Sequence, residues 1–186
     1  MKSIYLIAAL CLAPNMAVAG NGAKVLSAED ARSFAAASGQ KLAAEKPVVA
    51  AMAAADLRAA LTASLSGRTK IIYQDGYGVY VEYTAPDGSD RMWFPRNADA
   101  VKGKWTVRDT PDGPRACFLY FNSHDVVTGQ FEPNDCVPAE QTLSGANVLD
   151  VRSGDVFGLM AKLPYIKSDM DVPQWPKTDP DADKAK

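Results

Sequence analysis

The sequence predicts an α+β fold, mainly β, in which about six to eight short antiparallel strands form a meander with an N-terminal helix packed on it. Apolar and polar residues alternate in several short runs after Thr69, which is the period of a half-buried strand. Three Asp-Gly dipeptides separate these runs, and Asp-Gly tolerates the positive φ angles that tight hairpin turns require. Because such a sheet must bury one face, we expect a curled sheet or a small barrel.

Composition limits the class of protein. The chain has 186 residues, of which 47% are hydrophobic and 23% charged, as in ordinary globular domains. This length allows one compact domain with extensions. The 20 basic and 22 acidic residues leave no positive excess to drive nucleic-acid binding through phosphate contacts. We therefore expect no nucleic acid as a partner.

Residues 1–19 have the pattern of a signal peptide. Lys2 supplies the positive charge, residues 4–13 are apolar, and residues 17–19 form an A-x-A cleavage site before Gly20. The apolar run is too short for a membrane anchor, which needs about 20 residues. A lipoprotein is disfavoured because Leu10 precedes Cys11, where a lipidation signal has a small residue. The pattern predicts a periplasmic or secreted protein with no membrane span in the mature chain.

Removal of the signal peptide would leave two cysteines, Cys117 and Cys136. Two cysteines in an exported chain favour one disulfide, because oxidising compartments form and keep such bonds. A redox pair would have C-x-x-C spacing, and a zinc site needs more ligands than two thiols and the single His124. We expect a structural disulfide, no metal and no cofactor.

Residues 20–52 are rich in alanine and predict a helical leader or linker. Ser27 is placed to cap a helix N-terminus, since acidic residues follow it in the first turn. Ser38-Gly39 and Pro47 interrupt the stretch, so we do not expect one continuous helix.

The domain proper is expected at residues 53–166 and begins with a clearer helix at 53–66. Leu57, Leu61 and Leu65 recur at intervals of four residues and define one apolar face. This face predicts a short amphipathic helix that covers one side of the sheet.

Five runs after this helix predict strands joined by hairpins, at residues 70–74, 79–84, 91–94, 103–108 and 116–121. Two weaker strands are predicted at residues 147–152 and 155–160. Residues 167–186 contain three prolines among alternating Asp and Lys, which predicts a disordered tail from which Trp175 docks back on the domain.

The sequence contains no recognisable catalytic motif. It lacks a G-x-S-x-G elbow, a P-loop and a dinucleotide fingerprint. Ser123, His124 and Asp125 are consecutive, so they cannot converge as a triad. Glu82 is the only carboxylate in the middle of a predicted strand, where a lone carboxylate indicates a solvated face. We therefore predict no catalytic residues and a protein that is not an enzyme.

Aromatic residues are concentrated in the predicted sheet, and alternation sends them to both of its faces. Burial in the core is the favoured interpretation. The alternative is an exposed groove that binds an apolar ligand or a partner. The residues that would line it are Tyr83, Trp93, Trp105, Phe118 and Tyr120.

Residues 53–160 resemble a family of small exported bacterial proteins known as a domain of unknown function. The resemblance rests on the helix at 55–61, the hairpin at 83–88, the strand at 103–107, and Cys117-Phe118 followed by Cys136. It implies a location and a fold, and no activity.

Gly103-Lys104-Trp105 also resembles the G-x-W motif of lipocalins. In lipocalins that motif lies on the first barrel strand, whereas at least three predicted strands precede it here. The sequence therefore predicts a non-enzymatic periplasmic binding or envelope-maintenance module, whose partner is an unknown envelope protein or a small apolar ligand. The alternatives are a lipocalin-like carrier of a small apolar ligand, and an enzyme or enzyme inhibitor.

Overall fold

The computed structural model describes residues 24–121 and 134–176; the predicted signal peptide and His124 lie outside these ranges. The described residues form three helices, a seven-stranded antiparallel sheet and a two-stranded ribbon. The helices are α1 (Ala28–Ala50), α2 (Ala54–Leu65) and α3 (Ala139–Ser144). The strands are β1 (Lys24–Val25), β2 (Arg68–Gln74), β3 (Gly78–Thr84), β4 (Ser89–Trp93), β5 (Val101–Thr110), β6 (Gly113–Tyr120), β7 (Asn134–Val137), β8 (Val148–Ser153) and β9 (Asp171–Val172).

The sheet is an antiparallel meander, as predicted, with the strand order β7-β6-β5-β4-β3-β2-β8. Strands β2 to β7 follow each other across the sheet, and β8 then pairs with the free side of β2. The glycines of the three Asp-Gly dipeptides all have positive φ angles, between 81° and 109°. The prediction that the Asp-Gly dipeptides form hairpin turns is therefore confirmed.

The sheet curls into a half-barrel because β7 and β8 lie at opposite edges and only residues 138–147 connect them. A flat sheet of seven strands would separate its edge strands by about 29 Å. The connection reaches at most about 26 Å, because it contains the six residues of α3 and a turn closed by the hydrogen bond from the Val148 N–H to the Gly145 carbonyl. The edges must therefore approach each other, and α3 lies between them. The predicted curled sheet is confirmed.

Helix α2 covers part of the concave face of this half-barrel. Its bounds match the predicted helix, and its three leucines are all buried. Leu65 packs against Trp105 and Phe118 of the sheet, while Leu57 and Leu61 pack toward α3. The leucine spacing therefore correctly indicated which helical face the protein buries.

The convex face is covered by the chain that follows β8. Trp93 is fully buried there, with its ring centroid 5.7 Å from that of Phe157 and 4.7 Å from that of Tyr165. The prediction of a strand at 155–160 is wrong, because these residues form turns. The Asp155 carboxylate accepts hydrogen bonds from the backbone N–H groups of Leu159 and Met160. These side-chain hydrogen bonds take the place of the backbone hydrogen bonds that the segment would make in a sheet.

Residues 167–176 also differ from the expected disordered tail, because they belong to the folded domain. The buried Lys167 ammonium donates a hydrogen bond to the Val79 carbonyl of β3, and β9 pairs with β1. Trp175 docks back as predicted: its ring stacks on Phe157 and its Nε1 donates to Asp150 at 2.5 Å. Residues 177–186 lie outside the described residues.

Helix α1 runs without a break from Ala28 to Ala50, so the expected interruption is wrong. Pro47 lies in the last turn, where it removes a hydrogen bond close to the end of the helix. Tertiary contacts offset that loss: the Ser38 hydroxyl contacts the Ala146 carbonyl after α3, and the Phe34 ring meets Tyr73 at 6.0 Å. The predicted cap is confirmed, since the Ser27 side chain accepts a hydrogen bond from the Asp30 N–H.

Strand β7 is missing from the predicted set, and it carries one half of the disulfide. Cys136 of β7 lies directly opposite Cys117 of β6, with their Cα atoms 4.0 Å apart. The predicted Cys117–Cys136 disulfide is confirmed. It links the edge strand of the half-barrel to its neighbour.

Candidate ligand cavity on the concave face

A cavity of about 130 Å³ lies on the concave face, between the end of α2, α3 and strands β2, β3 and β6. Both ends of the concave face are filled by apolar side chains, so the cavity lies between two packed clusters. Most of its lining residues carry a polar group. They are Lys70, Gln74, Tyr80, Glu82, Tyr120, Gln141, Thr142 and Asn147, with Leu65, Ile72, Phe118, Val137 and Val148 as the apolar remainder.

Two charged residues line this cavity from neighbouring strands. Lys70 of β2 lies directly opposite Glu82 of β3 in the register of the sheet, so both side chains point to the concave face. Lys70 is 8% exposed and Glu82 is 7% exposed. The expectation that Glu82 belongs to a solvated face is wrong, because the curl of the sheet and the helices above it remove this face from water.

Asp90 adds a second carboxyl group behind the cavity. It lies on β4, diagonally across from Glu82, and its residue surface is 0% exposed. Among the described residues, neither of its carboxylate oxygens has a hydrogen-bond partner of normal geometry. A buried carboxyl without partners is costly, and apolar residues would fill the same volume without that cost.

Gly103 of β5 makes room for this carboxyl group. A Cβ atom at Gly103 would lie 2.8 Å from the Leu119 carbonyl oxygen, 2.9 Å from a ring carbon of Tyr120 and 3.4 Å from Asp90 Oδ2. Glycine is therefore required here by close packing. Gly103, which resembled part of a lipocalin motif, instead provides the space in which the Asp90 side chain lies next to the Tyr120 ring.

The three ionisable groups perturb one another. Burial and the charge of Glu82 raise the pKa of Asp90 well above its usual value, more than Arg91 and Lys70 lower it. Burial lowers the pKa of Lys70, while Glu82 and Asp90 partly offset this effect. Burial therefore disfavours the charged forms of both Asp90 and Lys70, while the opposite charges of the lysine and the carboxyl groups partly offset that effect.

Aromatic rings and side-chain amides surround the charged floor. The Tyr80 ring stacks on Phe94 at 4.8 Å between centroids, and its hydroxyl donates to Gln74 Oε1 at 3.3 Å. Gln74 and Gln141 are exposed at the mouth, and Asn147 is half-buried. The cavity thus offers hydrogen-bond donors and acceptors at its rim and aromatic faces on its walls.

The structure divides the predicted aromatic surface between the two faces of the sheet. Tyr83 and Trp93 lie in the convex core, whereas Trp105, Phe118 and Tyr120 lie on the concave face. Only Phe118 and Tyr120 line the cavity. Sequence reasoning did not select Lys70 or Asp90, because their proximity depends on the register of three strands. The one available signal in the sequence was a charged residue in each of two predicted strands, Lys70 in one and Glu82 in the next.

Comparison of the chain with protein-family models, with curated proteins and with solved structures found no match. The described part of the chain contains no helix with the length and apolar content needed to cross a membrane. In the same residues, no group of three or more His, Cys, Asp or Glu side chains is arranged to hold a metal ion. The family resemblance noted above stays a prediction.

Proposed function

We propose that this protein is a non-enzymatic binding module of the periplasm that holds a small polar molecule in the cavity on its concave face. The observation that carries the proposal is the cluster of Lys70, Glu82 and Asp90, buried at a cavity instead of within a solid core. Burying such groups costs several kcal/mol each unless they are compensated. Lys70 lines the cavity, so a polar ligand bound there can contribute to the compensation of its buried ammonium group.

The polarity of the cavity argues against the carrier of an apolar ligand. An apolar molecule seated on Lys70 and Glu82 would leave both groups desolvated without a new hydrogen bond. The two tryptophans that were expected to line an apolar groove, Trp93 and Trp105, instead pack against other side chains in the core.

The location in the periplasm is supported by the signal-peptide pattern of residues 1–19 and by the Cys117–Cys136 disulfide. An intact-mass measurement on the exported protein tests it. We expect a chain that begins at Gly20 and lacks two thiol hydrogens. A chain that retains Met1, or two free thiols, would contradict the location.

An enzyme is the second candidate, because two nearby carboxyl groups, one of them with a raised pKa, are typical of acid–base catalysis. The geometry favours it less. Asp90 is fully buried and does not line the cavity, so only Lys70 and Glu82 are placed to touch a substrate.

Native mass spectrometry of protein purified gently from the periplasm of its host tests the binding function. We expect a reproducible extra mass that disappears on denaturation. The variant Thr142→Trp fills the cavity from α3 and should lose this mass, whereas Thr106→Trp, at an exposed position on the other side of the sheet, should keep it. A bare mass for the natural protein, or a mass retained by Thr142→Trp, would contradict binding in this cavity. The second result would redirect the search to a protein partner or another site.

A further inference from the structure

We propose that the ligand is a small uncharged polyhydroxylated molecule, such as a monosaccharide. This inference rests on the proposed function, because it names the class of molecule that the same cavity takes. Three properties of the cavity support it: the charge balance of its floor, the chemistry of its walls, and its size.

The floor of the cavity is balanced in charge. Lys70 lies directly opposite Glu82, and the two groups interact electrostatically. The third group, Asp90, does not line the cavity, and burial raises the pKa of its carboxyl group well above the usual value. A ligand with a net charge would therefore enter a poorly solvated space without a counter-charge, which is unfavourable. An uncharged ligand avoids this cost.

The walls combine hydrogen-bonding groups with aromatic surface. The side chains of Gln74, Gln141 and Asn147 each provide both a donor and an acceptor at the rim. The rings of Phe118 and Tyr120 stack on each other at 6.1 Å and border the same space. A sugar ring has hydroxyl groups around its edge and C–H groups on its faces. It therefore matches amides at the rim and aromatic rings on the walls.

The size of the cavity limits the ligand to one ring. A closed apolar cavity of about 150 Å³ takes up one benzene molecule. The present volume of about 130 Å³ is slightly smaller, so the cavity encloses at most one six-membered ring, and the hydroxyl groups of a monosaccharide must extend past the rim. Oligosaccharides could enter only by one terminal unit.

Ligand-observed NMR and isothermal titration calorimetry with three probes test this inference. The probes are glucose, glycine as a zwitterion and acetate as an anion, each at about 10 mM to detect weak binding. We expect saturable binding of glucose only. Gln141→Ala, at an exposed rim position, should weaken glucose binding about three- to tenfold through the loss of one hydrogen bond. The matched control Lys104→Ala, exposed on the opposite side of the sheet, should leave it unchanged.

A second variant tests the charge argument separately. The double variant Glu82→Gln/Asp90→Asn removes both carboxyl groups that oppose Lys70, so this variant should gain acetate binding that the natural protein lacks. Preserved circular dichroism would show that the variant folds. Binding of acetate or glycine by the natural protein, or no binding of glucose, would overturn the inference. If native mass spectrometry then finds a charged ligand, the proposed function stands and only the ligand class fails; a bare mass removes both.

Discussion

Replacing Trp105 by Ala should be among the most destabilising single changes in this domain. Trp105 is 9% exposed and packs with Leu65 and Phe118 beneath α2. Truncating a buried tryptophan costs about 3–5 kcal/mol of unfolding free energy, through lost burial and the cavity left behind. Its Nε1 also donates a 2.8 Å hydrogen bond to the Ala85 carbonyl. That carbonyl keeps a second donor, the N–H of Gly88 at 3.1 Å, so no orphaned acceptor adds to the cost.

Urea unfolding of the oxidised protein measures this cost. With a slope of about 2 kcal/mol per molar urea, a loss of 4 kcal/mol lowers the unfolding midpoint by about 2 M. Trp105→Phe keeps a ring and loses the N–H, and should cost about 1–2 kcal/mol. Lys104→Ala, an exposed neighbour on the opposite side of β5, should change stability by less than about 0.5 kcal/mol. A loss below about 1 kcal/mol for Trp105→Ala would refute the burial argument and return this ring to the surface.

Three further predictions concern buried groups and the disulfide. Because the pKa of Asp90 is raised in the folded state, the folded chain binds more protons than the unfolded chain above about pH 4, and the stability from this group falls as pH rises. The stability of Asp90→Asn relative to the natural protein should therefore increase between pH 4.5 and 7.5 in urea titrations, by at most about 1.4 kcal/mol per pH unit; a constant difference would contradict the shift. Gly103→Ala should lower the free energy of unfolding, measured in thermal melts, by about 1–3 kcal/mol, because the added Cβ meets backbone and ring atoms. Gly39→Ala, with nothing within 4 Å in the exposed part of α1, should instead raise it by about 0.5–1 kcal/mol, and equal effects would refute the packing argument. The double variant Cys117→Ala/Cys136→Ala should lose about 2–4 kcal/mol against the oxidised protein and little against the reduced one.

Much of the fold was predictable because it depends on local patterns. Alternation located five strands of the meander, and the Asp-Gly dipeptides located its hairpins. The errors arose where local signals are weak or are outweighed by tertiary contacts. Residues 155–160 contain apolar residues at strand-like spacing, yet the Asp155 carboxylate holds their backbone in turns. Pro47 is unfavourable inside a helix, yet α1 continues past it to Ala50.

The candidate cavity was much less predictable than the fold. Alternation alone places Lys70 and Glu82 on the same side of their strands once the hairpin register is known. It does not tell which side of the sheet is covered, so Glu82 was expected in water. Asp90 joins the pair only through the pairing of β4 with β3, and Gly103 provides its space only through the pairing of β4 with β5.

The sequence by itself therefore determined the elements whose forces act over a few residues: the strand periods, the turns, the Ser27 cap, the leucine face of α2 and the pairing of the two cysteines. Tertiary structure alone decided how far the sheet curls and which segments cover its two faces. The physical reason is that burial depends on packing between distant segments. A lysine and two carboxyl groups become one buried cluster only after β2, β3 and β4 have paired and the sheet has curled around them.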